Sequence, residues 1–153
     1  MSKKIGFYLI IIFLITSCVG NSKKDKQTEN MLNPKVDSLY KLVVAKHDEV
    51  MPKTVDISKL TQVLRSKLEN TKDEVEKEKI LNLLEGLQSA HDAMFDWMGA
   101  FKGLHTNEEF YQKKPEQELI NYLKDEETKI ERVAKIMLES IGYSELYIKD
   151  HKK

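Results

Sequence analysis

A chain of 153 residues with 25 basic and 25 acidic side chains, one Cys, three Pro and six Gly has room for one modest domain. One Cys excludes a disulfide scaffold and a Cys-rich zinc site. Zero net charge, with only Arg65 and Arg132 as arginines, excludes the cation excess and the bidentate phosphate clamps of a nucleic-acid binder. The same composition, one third charged and poor in Gly and Pro, favours helices.

Residues 1–17 hold two basic side chains, Lys3 and Lys4, and no acid, so the remainder is slightly acidic at −2. Lys3 and Lys4 precede an apolar run from Ile5 to Ile15, and small residues follow it. That order is a signal peptide, and the run is too short to span a bilayer, which takes about twenty residues. Ile15-Thr16-Ser17-Cys18 resembles the lipobox of bacterial lipoproteins, with Ile15 where Leu is commoner. The resemblance implies cleavage before Cys18, acyl chains such as palmitate on its sulfur, and a further acyl group on the new amino terminus. Several chains on one residue anchor stably where a single one does not. The alternative is an ordinary secreted protein with a chance Cys.

Val19 follows the Cys, where an Asp marks inner-membrane retention in enterobacterial lipoproteins, so the resemblance implies the outer membrane. Ser22-Lys23-Lys24-Asp25-Lys26 is basic, unlike the acidic run of surface-exported Bacteroidota lipoproteins. The periplasmic face is therefore expected, with the cell surface as the alternative. Residues 18–33 read as the lipidated Cys and a polar tether without apolar period. Fifteen such residues span roughly 20 Å.

Residues 34–150 are expected to form an all-α antiparallel bundle of three long helices. The first starts at Pro34 behind Asn33 as cap, with the stripe Val36, Tyr40, Val43, His47, Val50, Thr54, Ile57, Thr61, Leu64, Leu68. Pro52 lies inside it, and a kink is favoured because the stripe continues; a break would give four helices. The second follows a capping box of Thr71 and Glu74, with the stripe Ile80, Leu84, Leu87, His91, Met94, Met98, Phe101, and ends at Gly99 to Gly103. Trp97, Phe95 and Phe101 read as a core aromatic cluster at its foot, and residues 104–114 read as a loop. The third starts at Pro115, with Glu116 and Glu118 suiting the helix dipole, and carries Leu119, Leu123, Glu126, Ile130, Val133, Met137 and Ile141. Gly142 is expected to end or bend it, ahead of a short helical or frayed tail.

His47, His91 and Glu126 fall on apolar stripes rather than charged faces. Counting heights from a turn near Thr71 sets His91 level with Met51, and His47 level with Met94 or Phe95. Counting from the loop 104–114 sets Glu126 near His91. His47, Met51, His91, Met94, Met98 and Glu126 thus form a candidate layer. Imidazole with thioether suits copper, and less well haem, for which no Cys-x-x-Cys-His is present. The favoured reading is plainer: Met fills core gaps, and a buried His beside a Glu satisfies both. No hydrolase or nucleotide motif occurs, so no catalytic activity and no cofactor is expected.

His47-Asp48-Glu49-Val50-Met51-Pro52-Lys53 and Ala90-His91-Asp92-Ala93-Met94-Phe95-Asp96-Trp97-Met98 together resemble a group of small Bacteroidota lipoproteins. Some members carry the label "viral A-type inclusion protein". The likeness covers about residues 40–140, with Thr54 where members often have Met. It implies the lipoprotein address and a helical fold, and no activity. The expected protein is a structural or interaction module meeting an envelope partner.

Overall fold

The computed structural model describes residues 32–151. The signal segment, Cys18 and the tether up to residue 31 lie outside the described residues. Five helices follow in order: α1 (Pro34–Val50), α2 (Lys53–Asn70), α3 (Glu74–Ala100), α4 (Glu108–Lys113) and α5 (Glu116–Asp150). Among the described residues there is no strand, and the chain is an all-α bundle as its periodicity requires. No described helix is long and apolar enough to cross a membrane.

α1 starts where the sequence says it does. Asn33 Oδ1 accepts from the Lys35 backbone N–H at 2.9 Å, and Pro34 occupies the first turn, where its missing N–H costs nothing. Pro52 bends the limb and leaves its helical phase intact. Met51 and Pro52 both keep right-handed helical dihedrals, at φ/ψ of −51°/−39° and −59°/−21°. The Thr54 and Val55 N–H groups close tight turns onto the Met51 and Pro52 carbonyls, at 3.1 Å each. Val36, Val43, Val50, Ile57 and Leu64 are all buried, and their spacing of seven runs unbroken across the bend. A continuous heptad row means that one buried face serves both helices.

The bent limb α1–α2 runs parallel to α5. Asn33 reaches Glu116, Lys46 reaches Glu127 and Glu131, and Lys67 reaches the His151 carbonyl, all in one parallel register. α3 runs antiparallel to both, fixed by the Phe101–Tyr122 ring pair at one end and the Tyr147–Glu76 hydrogen bond at the other. The main core threads Val43, Ile57, Leu64, Ile80, Leu87, Met94, Ile130 and Met137, and a second cluster lies at the α4 end. Each such side chain fully buried stabilises the fold by about 1.5–3 kcal/mol. The α5 stripe is fully legible in the sequence: all seven of its expected members are buried.

Three expectations need correcting. The α3 cap is Asp73, whose Oδ1 accepts from the Val75 and Glu76 N–H groups at 2.9 and 3.1 Å. Thr71 instead closes α2, its hydroxyl donating to the Lys67 carbonyl. Within the expected loop 104–114, residues Glu108–Lys113 form α4. Gly142 does not end the last helix, which continues to Asp150 with an ordinary right-handed backbone at the glycine.

Candidate functional site

α3 carries two neighbouring rows, one residue apart in phase. Ile80, Leu83, Leu87, Ala90, Met94, Trp97 and Phe101 form the inner row, which packs into the core. Leu81, Leu84, Gln88, His91, Phe95 and Met98 form the outer row, at the same alternation of three and four. The stripe expected from sequence mixed the two. Leu84 and His91 lie at the margin, and Phe95 and Met98 reach solvent, 45% and 39% exposed. Of the expected aromatic core, Trp97 is buried, Phe101 is half-buried and Phe95 is outside.

The candidate His/Met layer is distributed accordingly. His47 lies flat on Trp97, with ring centroids 5.5 Å apart, and its Nδ1 meets Asp48 Oδ1 at 2.9 Å. Helical side chains lean toward their own N-termini, so in this antiparallel pair the two rings converge. His91 stacks on Phe95 at 4.5 Å, and its Nδ1 meets Asp92 Oδ1 at 3.3 Å. Each imidazole has its own carboxylate and its own aromatic ring. Met94 is wholly buried and Met51 packs against the core, whereas Met98 faces out. His91 lines a groove with Thr54 and Ser58, and His47 meets Trp97, so the heights differ from those counted along the sequence. Among the described residues, no group of three or more His, Cys, Asp and Glu is placed to hold a metal ion.

Glu126 also sits elsewhere. The α3–α5 register puts it opposite Trp97 and puts His91 opposite Arg132. Both contacts centre the register inside α4 rather than on the middle of the expected loop, so the sequence count misplaces Glu126. Glu126 is 3% exposed; its Oε1 accepts from Lys129 Nζ at 2.9 Å, and its Oε2 is buried without a hydrogen bond. Bonds from Asp125 first and Glu126 second hold the Lys129 ammonium above its usual range. Trp97 Nε1 and Ser144 Oγ are likewise buried and unbonded.

Sequence reasoning missed an aromatic cap at the α4 end. Phe101 stacks between Trp97 and Tyr40, at 4.9 and 5.9 Å, and Phe110 stands edge-on to Tyr122 at 5.1 Å. Their hydroxyls tie down the connection after α3. Tyr40 and Tyr122 oxygens accept from the Leu104 and Lys102 N–H groups, and Tyr111 donates to the Lys102 carbonyl. Burial pushes Tyr111 up and Tyr122 up to about 12, so both stay neutral donors and acceptors. These rings are scattered from residue 40 to residue 122, and no local spacing signals their meeting.

One accessible groove, of about 530 Å³, lies between α2 and α3. Thr54, Val55, Ser58, Gln62, Gln88 and Phe95 are among its lining residues. Hydroxyls and amides beside apolar side chains suit recognition, and no nucleophile there is paired with a base. No protein-family model, curated protein or solved structure matches this chain.

Proposed function

We propose that this chain is a non-catalytic envelope lipoprotein. Cys18 anchors it by acyl chains to the periplasmic face of the outer membrane, and its helical bundle is an interaction module. The observation that carries the address is the order of Lys3-Lys4, the apolar run Ile5 to Ile15, and Thr16-Ser17-Cys18. The interaction role is supported by the α2–α3 groove and the outward Phe95 and Met98, apolar groups that the bundle does not use for its own core. Cys18→Ser is expected to move the protein from the membrane pellet to the soluble envelope fraction. Unchanged sedimentation with membranes would overturn the anchor.

A second reading is copper held by His47, Met51, His91, Met94, Met98 and Glu126 in some grouping. One observation favours it: both imidazoles have Nδ1 against a carboxylate, which is how a protein orients a histidine that binds metal through Nε2. Titration with Cu(I), read by native mass spectrometry, separates the readings. Equal uptake by wild type and the His47→Ala, His91→Ala double variant removes copper from consideration.

A further inference from the structure

The outer row of α3 is a second helix-packing seam. Leu81, Leu84, Gln88, His91, Phe95 and Met98 repeat with the three-four spacing of a coiled-coil face, over about 26 Å of helix. Leu81 is 52% exposed, and Phe95 and Met98 are nearly as open. α2 borders the middle of this seam, where Gln88, His91 and Phe95 line a groove between the two helices. A groove bounded by two antiparallel helices is half of a four-helix bundle.

The unpaired charges at the groove are mainly basic on the α2 side and acidic on the α3 side. Beyond the α3 seam stand Glu78, Glu85 and Asp96, exposed and without an ion pair to another described residue. On the α2 side Lys59 and Arg65 line the groove itself, exposed and without an ion pair to another described residue, and Glu69, one turn on from Arg65, is exposed as well. Only three residues separate α2 from α3, so positions equidistant from that link are level. Lys59 is level with Glu85, and Arg65 is nearly level with Glu78. Within one chain the basic groups on α2 and the acids on α3 form no ion pair with one another.

We propose that the occupant of this groove is a second copy of the chain. The twofold axis runs parallel to the helices, so that α2 of each copy lies against α3 of the other. This symmetry preserves height, which brings Lys59 to Glu85 of the other copy and Arg65 to its Glu78. A face with a mainly basic side and an acidic side complements itself in this arrangement. An axis perpendicular to the helices would set α2 against α2 and join like charges. The parallel axis also leaves both Pro34 ends at the same end of the dimer. Two lipid anchors can then enter one membrane, a point that rests on the anchored reading above; the groove and its charges do not depend on it.

The test uses the full chain purified in detergent, with p-benzoylphenylalanine in place of Gln88. Irradiation is expected to give a product of twice the chain mass, with the crosslink mapped to α2 of the other copy. Lys59→Glu is expected to cut that product about tenfold by setting like charges together, and adding Glu85→Lys is expected to restore it. Circular dichroism checks that each surface variant is folded. Product of single-chain mass only, a crosslink into α3 of the other copy, or failure of the double variant to recover would each overturn the proposal. None of these outcomes bears on Cys18, which is judged separately by membrane sedimentation.

Discussion

Glu126 is the side chain whose burial the fold explains least, and replacing it by Met should make the protein more stable. One oxygen, Oε1, is bonded to Lys129, whose side chain is half-exposed. An ion pair with one partner in water contributes about 0–1 kcal/mol. The other oxygen is buried with no bond at all, which costs about 1–3 kcal/mol. Met has similar length, carries no group needing a partner, and adds apolar area to a layer that already holds Trp97. The balance favours the variant by about 1–2 kcal/mol, as when buried ion pairs give way to well-packed apolar groups. For a domain of this size that is a rise of about 4–8 °C in Tm.

Urea unfolding followed by the fluorescence of Trp97, the chain's one tryptophan, measures it. Glu126→Gln serves as the companion, because it removes the charge and keeps two buried polar atoms; it should show no comparable gain. A loss of more than about 1 kcal/mol in Glu126→Met would refute the reasoning. It would mean that the carboxylate is satisfied in solution, with the Trp97 indole N–H, the unbonded donor at the same height, as the first partner to test. A double-mutant cycle with Trp97→Phe then measures that coupling directly.

Two further outcomes are expected. Asp73→Ala removes the acceptor for two N–H groups at the start of α3 and should cost about 1 kcal/mol, whereas Thr71→Ala, at the end of α2, should not weaken the α3 start; equal effects on α3 amide exchange would contradict the cap assignment. The Tyr147 hydroxyl donates to Glu76 and holds that carboxyl below its usual range. A depressed folded value means that the contribution to stability is present above the ordinary carboxylate range and is lost as pH falls through the lowered one. Tyr147→Phe should therefore return the Glu76 titration, followed by NMR, toward the ordinary range; an unchanged midpoint would show that the bond does not hold the shift.

The legible parts of this fold are those where one physical signal acts alone. α5 has one apolar stripe and no competing row, so every stripe residue read from the sequence is buried. Along the limb α1–α2 alternate stripe residues are buried and those between them half-buried, and Val50 to Ile57 keeps the seven-residue step across Pro52. α3 is the opposite case. Its inner and outer rows differ by one residue, about 100° of helix, and both contain large apolar side chains. Periodicity cannot separate Leu84, His91 and Met98 from Leu83, Ala90 and Trp97 until α2 and α5 are in place. The Asp73 cap was hidden because Thr71 and Asp73 both suit the position, and the choice follows from where α2 stops. α4 has six residues, too few to show a period.

The two segments that stand out in the sequence divide their residues by direction rather than pooling them. From the first, Val50 and Met51 turn inward while Pro52 sets the bend. From the second, Met94 and Trp97 turn inward, His91 lies at the margin, and Phe95 and Met98 turn out. The inward members hold α3 against the bent limb, with His47 seated on Trp97. That attachment fixes the orientation of α3, and so fixes which way the outward members point. Phe95 cannot be rotated inward to hide its ring without withdrawing Met94 and Trp97 from the core, because all three share one rigid helix. The exposed row is therefore a consequence of how the core is built, and it stays presented whether or not a second copy covers it.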